Sequence, residues 1–403
     1  MVTSAIWGAS LPGFTVPGLG YIYLYRIIVL LLAVLVLLNY RKIRVNKKIF
    51  TTFCIISICF LLHALSSFFF SPDPNQALLK VFNYFINLLF IIVFMVFVNN
   101  YVSLKYVFKV ITFNYIILLC IGLYEILTGH YLFYKGVVFS NRLNSLSLNY
   151  PLGPMNNTND FVLLLLLLLP ITIYYFNNKF KVFNIIINLC FLFIILNSES
   201  RITLFSWLLI FIVYSIYNKN KTIFIPLLII ALIGVIFFTY NYIPTDILNQ
   251  YYKGNIDFGF SEGSGETRLN LIKNGFIILI NSAFLGIGAG NINYFMLNNS
   301  NLIFVNGGSI HNLFLEILVE FGLPLFVVFI FGLIMIYKSF NALSRINNKR
   351  TSLFRVLIKT TILLLPLLGT VSSSLTTLPF FWLYFGLIIV IPYCLKVKYK
   401  ELW

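Results

Sequence analysis

The chain has 403 residues, 60% of them hydrophobic and 10% charged, with a formal net charge of +17. A mean hydropathy of +0.95 excludes a soluble globular domain, which could not hide that much apolar surface from water. The charge excludes little until it is placed along the chain, because basic residues mark membrane faces as well as nucleic-acid partners.

Residues 1–20 contain no Lys or Arg, so no basic region precedes an apolar core and the segment does not read as a secretory signal. It is expected to form an outer segment or part of an additional span. Membrane spans are expected near 21–38, 49–70, 78–98, 105–127, 160–176, 180–197, 202–217, 222–240, 313–337, 354–371 and 377–395. The predicted fold class is all-α: one polytopic membrane domain over 1–403, with about 11 (10–13) transmembrane helices and a long outer loop carrying a surface helix. No cytoplasmic segment is long enough to fold alone, and no repeat of solenoid length occurs.

Basic residues cluster in "NYRKIRVNKK" (39–48), at Lys105 and Lys109, Lys179 and Lys181, Lys219 and Lys221, in the loop from Lys338 to Arg355, and in "KVKYK" (396–400). These clusters fall on alternate sides of the spans, which places them in the cytoplasm and leaves no nucleic-acid partner to infer. Asp73, Glu125, Asp160, Glu199, Asp246, Asp257, Glu262, Glu266, Glu316 and Glu320 lie on the opposite side, with His63, His130 and His311. Polar chemistry is therefore expected outside. The five cysteines fall within spans at no metal-binding or CxxC spacing and read as packing residues.

Two outer loops, about 128–159 and 241–311, exceed ordinary connections, and the second is the expected catalytic element. In "YPLGPMNNTNDF" (150–161), Asn156, Asn157, Asn159 and Asp160 precede an all-Leu span. One such residue makes a helix cap; four could equally hydrogen-bond sugar hydroxyls. "NSESRITLFSW" (197–207) puts Glu199 and Arg201 at an outer boundary, where an arginine is disfavoured unless an anion compensates it.

In "GETRLNLIKNGFIILINS" (265–282), Leu269, Ile272, Phe276 and Leu279 recur at helical spacing, so a helix lying along the membrane surface is expected, with Arg268 at its start. "LGIGAGN" (285–291) spaces Gly286, Gly288 and Gly290 before Asn291, either as a tight turn or as backbone closely approaching a phosphate or sugar. "SIHNLFLEILVEFGLPLF" (309–326) sets Asn312, Glu316 and Glu320 four apart, one polar stripe that cannot face lipid. It either packs on another polar span or lines an outward-facing cavity. His311, just before that helix, could titrate near neutral pH and act as a base or donor.

The "SESR" boundary, the long loop with an arginine opening its helix, "GIGAGN" and "HNLFLEILVEFGLPLF" together resemble the O-antigen ligase and polymerase superfamily, including Wzy-type polysaccharide polymerases. The match is strongest at His311, Asn312, Glu316, Glu320 and Gly322 and extends over roughly residues 140–335. Glu199 stands where a small residue is usual, and Asn replaces a frequent Pro in "GPMNNTND".

The resemblance implies a glycosyltransferase of the bacterial cytoplasmic membrane. Its donor would be an undecaprenyl-pyrophosphate-linked oligosaccharide, its acceptor a glycan hydroxyl, and its possible protein partners a chain-length regulator and a flippase. Arg201 and Arg268 would hold the pyrophosphate, and His311 would serve as base with Glu316 and Glu320 in reserve. Asn156, Asn159, Asp160, Glu199, Gly288, Gly290, Asn291 and Asn312 would contact substrate. No cofactor or metal is expected, since arginines can neutralise the leaving group and the outer loops hold no Asp-x-Asp pair. Direct displacement would invert the anomeric centre. A transfer to another acceptor, or a lipid-linked glycan flippase, are the alternatives.

Overall fold

The computed structural model describes residues 1–16, 20–39, 41, 45–133, 150–155, 157–176, 181–218, 264–299, 302–303, 309–346, 348–372 and 374–400. The chain begins with a short helix α1 (Val2–Trp7) and a hairpin, β1 (Gly13–Val16) and β2 (Gly20–Tyr23), with Gly13 opposite Tyr23. The helices α2 (Leu24–Leu38), α3 (Lys47–Phe69), α4 (Pro74–Phe97) and α5 (Tyr101–Thr128) follow. Next come α6 (Thr158–Phe176), α7 (Lys181–Ser198), α8 (Arg201–Asn218), α9 (Ser264–Asn281) and α10 (Ile292–Asn298). The described chain closes with α11 (Leu313–Ser339), α12 (Lys349–Leu368) and α13 (Pro379–Lys400).

Among the described residues seven helices are long and apolar enough to span a membrane, and α2, α7 and α8 are shorter apolar helices. Ten of the expected spans therefore exist as helices. The remaining one, 222–240, lies outside the described residues. The protein is an all-α, multi-pass membrane protein.

Two helices organise the bundle. The Leu163–Leu169 run of α6 is fully enclosed by α5, α7, α8, α12 and α13, which explains how a helix without a polar face avoids lipid altogether. α4 packs against α2, α3 and α13 and brings its first three turns to the site. On α3, by contrast, Ile55, Ile58, Leu62 and Leu65 stand exposed, as expected of a lipid-facing helix.

One expectation needs correction. The span 313–337 is not one continuous helix: Gly322 has φ 73° and ψ 175°, with Pro324 two residues on, so α11 is a short helix, 313–321, followed by the membrane helix proper. The glycine loop repairs the break. Ile287 N donates to Val319 O at 2.9 Å, Gly288 N to Glu320 O at 3.0 Å, and Leu323 N to Phe284 O at 2.8 Å. Gly322→Ala would add a strained φ and a Cβ about 2.3 Å from Leu285 O. A loss of at least roughly 1–3 kcal/mol is expected, seen as a lower melting midpoint of purified protein. Wild-type stability for that variant would mean the break is not needed.

The surface helix α9 packs on the protein through a face other than the 269/272/276/279 stripe. Leu279 is buried, but Leu269 and Phe276 are exposed. Leu271, Asn274, Gly275 and Ile278 face the protein instead, packing with Ile310, Leu315 and Val319. The reason is Gly275, where a Cβ would lie 2.9 Å from Leu315, and Asn274, whose amide pairs with both backbone groups of Ile303. This helix has apolar residues all round, and close approach chose the face.

Candidate functional site

The polar residues of the site hang on a short strap, 369–377, between α12 and α13. Gly369 O accepts from Leu313 N at 2.9 Å, Thr370 O from Arg268 Nη1 at 3.2 Å, and Thr376 O from Asn87 and Trp382. Ser374 and Thr376 hydroxyls donate to Glu316 Oε1 at 2.7 and 2.8 Å. Small hydroxyl residues suit this position because they satisfy a buried carboxylate without filling the space around it.

Glu316 and Glu320 sit one turn apart on the short helix 313–321 and converge on Lys80 of α4. Lys80 Nζ lies 2.6 Å from Glu316 Oε1 and 3.6 Å from Glu320 Oε1. Tyr84, one turn further along α4, donates to Glu320 Oε2 at 2.7 Å, and Gly290 N donates to Glu320 Oε1 at 3.0 Å. Both carboxylates are buried. One lysine for two carboxylates leaves a formal surplus of negative charge, which the neutral donors around them dilute. The expected polar stripe is therefore partly a packing device. Glu316 Oε2 nevertheless has no hydrogen-bond partner among the described residues.

His311 stands immediately before this helix at φ 53°, a left-handed conformation uncommon for non-glycine residues but adopted by histidine more often than by most. Its Nδ1 is buried and unpartnered among the described residues. Burial, and then the Arg268 cation, hold its pKa below the ordinary histidine value, with Glu316 pulling the other way. The ring is thus neutral at pH 7 and able to accept a proton. Burial likewise lowers the pKa of Arg268, though not far enough to discharge a guanidinium.

The structure thus brings together His311, Arg268, Glu316, Glu320 and Gly290. The remaining predicted residues stand as follows. Asn312 caps the helix, its side chain accepting from Phe314 N and Leu315 N, so it is not part of the free stripe. Gly288 has φ 87° and packs on Ser67, Gly290 has φ 83° and packs on Gln76 and Ala77, and Asn291 receives the Ser71 hydroxyl. The turn reading of this loop describes its contacts with the protein. Arg201 opens α8 with an exposed side chain and makes no ion pair among the described residues. Glu199, at φ 57°, accepts from Tyr150 at 2.6 Å. Asp160 lies beside Ser372 of the strap, and Asp160 Oδ1 and Ser372 Oγ are both buried without a hydrogen-bond partner among the described residues. Asn159 N donates to the Asn157 side-chain oxygen at 2.9 Å. Asn156 lies outside the described residues.

Lys80, Tyr84, Ser374, Thr376 and Arg26 were not singled out from the sequence. A signal existed for two of them. Lys80 and Arg26 lie at the outer ends of their expected spans, on the side that disfavours cations, which is the argument that picked out Arg201. A cavity of about 490 Å³ opens beside the cluster, lined among others by Arg26, Lys80, Glu316, Glu320 and Ser309.

Comparison with known proteins covers part of this site. A family model described as O-antigen ligase matches residues 186–330, a stretch that holds Arg201, Arg268, the glycine loop and His311 through Glu320. Over 322 residues the chain is 26% identical to the teichuronic acid biosynthesis protein TuaE of Bacillus subtilis (strain 168). That alignment covers 74% of this chain and 63% of the relative, so the chain spans less than two thirds of the relative's length. The similarity to the O-antigen ligase and polymerase superfamily is borne out.

Proposed function

We propose that this protein is a membrane glycosyltransferase that polymerises or ligates undecaprenyl-pyrophosphate-linked glycans at the outer face of the bacterial cytoplasmic membrane, for a cell-surface polysaccharide. The observation that carries this reading is the meeting of a neutral, half-buried His311 with the Arg268 guanidinium and the Glu316 carboxylate. A base, a cation for a phosphate leaving group and an anion for the protonated base stand in one place. The acceptor hydroxyl oxygen attacks the anomeric carbon, its proton passes to His311, and the carbon–oxygen bond to the carrier breaks. The pyrophosphate keeps that electron pair, and Arg268 and Arg201 take up its charge as bidentate donors. Glu316 favours the imidazolium that results. The scheme assigns no step to a metal.

A flippase would be expected to keep free polar groups along a path through the membrane. Four of the five midspan amides here are instead engaged inside the bundle, Asn83 by Arg26, Asn87 by Tyr25, Asn114 by Trp7 and Asn188 by Trp207, while Asn184 has no side-chain partner among the described residues. This supports transfer over transport.

The test is turnover of purified lipid-linked repeat units by the full chain in nanodiscs with EDTA present. The expected result is new glycosidic linkage with stoichiometric release of the carrier pyrophosphate. Absence of carrier release would remove the transferase reading, and inhibition by EDTA relieved by a divalent ion would remove the metal-free scheme. Surface glycan in a deletion strain then separates the two acceptors: single repeat units mean a polymerase, long chains left on the carrier a ligase.

A further inference from the structure

The cavity beside the Lys80 cluster contains a second cation that the transfer scheme does not use. Arg26, in the first turn of α2, is only 8% exposed, yet it makes no ion pair among the described residues. Its guanidinium donates to two neutral acceptors, Tyr21 O at 3.0 Å and the Asn83 side-chain oxygen. It is stacked over the rings of Tyr23 and Phe82, 4.9 and 5.2 Å from their centroids. A buried charge without a counter-ion is costly. A guanidinium fixed by stacking and by two hydrogen bonds is also already oriented for a planar anion.

We propose that this cavity is a saccharide subsite in which Arg26 binds a carboxylate carried by the glycan, as on a uronic acid. The proposal rests on the transferase reading and adds the substrate class. At about 490 Å³ the space falls within the roughly 300–1,000 Å³ typical of small-ligand sites. Gln76, Asn293, Ser309 and Thr377 line it with amides and hydroxyls beside the Tyr21 ring, the mixture that sugar hydroxyls and ring faces require. His311 and Arg268 are not among its lining residues, whereas Ser309, Ile310 and Glu316 are. The cavity therefore adjoins the base without containing it, so it would hold a sugar of the glycan next to the reacting one, whose hydroxyl must itself reach His311.

Its charge argues for a carboxylate over the carrier's pyrophosphate. Lys80 is already committed to Glu316 and Glu320, and both of these carboxylates line the cavity. They would repel a multiply charged pyrophosphate more strongly than a single carboxylate.

Binding of glucuronate, glucose and inorganic pyrophosphate to the full chain in nanodiscs, measured by ligand-observed NMR, tests the proposal. Wild type is expected to bind glucuronate about 10- to 100-fold more tightly than glucose, the range of one charge-assisted contact. Arg26→Gln should abolish that preference. Equal binding of the two sugars by wild type would overturn the proposal whether or not the variant folds, as would a preference that survives Arg26→Gln. Displacement of glucuronate by equimolar pyrophosphate in wild type would make the site a phosphate site and overturn it as well. The carrier-release assay fails separately: a wild type that transfers glycan but does not prefer glucuronate sinks only the subsite, and one that prefers glucuronate through Arg26 but releases no carrier sinks only the transferase reading.

Discussion

His311→Ala is expected to slow glycan transfer by roughly 10²–10⁴-fold, the usual contribution of a positioned general base, with carrier-linked donor still bound. The histidine must be unprotonated to accept the hydroxyl proton, and its pKa is held below the ordinary value by burial and by Arg268. Wild-type activity should therefore be flat at neutral pH and decline only as the pH falls through that lowered pKa, on the acid side of an ordinary histidine. Removing the nearby cation shifts this limb in a known direction: in Arg268→Gln the pKa of His311 rises, so activity is lost at a higher pH, in addition to weaker donor binding. A structural role predicts something else. His311→Asn would then restore activity, and the loss in His311→Ala would follow the amount of folded protein. Full activity of His311→Ala at wild-type expression would sink the base assignment.

Lys80→Met should be the most destabilising single change in the bundle, because it leaves two buried carboxylates one helical turn apart without their shared cation. Removing one partner of a buried ion pair costs about 3–5 kcal/mol. Tyr84, Gly290 N, Ser374 and Thr376 would still donate to the carboxylates, so part of the loss is offset. Combining Lys80→Met with Glu316→Gln and Glu320→Gln removes the uncompensated charge and should recover much of the melting midpoint. Activity should not return, since Glu316 would no longer favour the His311 imidazolium. A Lys80→Met protein as stable as wild type would show that the pair does not hold the short helix 313–321 against α4.

Spans and candidate chemistry were legible to different degrees in the sequence, for physical reasons. Membrane helices announce themselves by length and apolarity, so α3 to α8 and α11 to α13 are found near their expected limits. His311 and Arg268 stand out because polar residues are scarce in such a chain. The Lys80–Glu316 pair is harder to see, since its partners are 236 positions apart and a lysine at a span end resembles an anchoring charge. In sequence the strap "GTVSSSLTT" reads as an ordinary short connection, and only the fold shows how many groups converge on it. The α11 break was visible as Gly322 followed by Pro324, but the surrounding apolar run masked it. Hydrophobic period alone could not choose the buried face of α9, because the exposed Leu269 and Phe276 are as apolar as the Leu271 and Ile278 that pack.

The strap at 369–377 also has a consequence for biosynthesis. It supplies acceptors or donors to Arg268, Leu313, Glu316 and Asn87, all of which are translated before it. While the ribosome is still making α12, the earlier helices can already be in the bilayer, but Glu316 lacks its two hydroxyl donors and Arg268 its carbonyl. A nascent chain thus carries His311 and Arg268 without the piece that sets them in register. On the proposed scheme, competence for transfer then arrives in one late step of synthesis, when the strap emerges and is drawn across the ends of helices already in place.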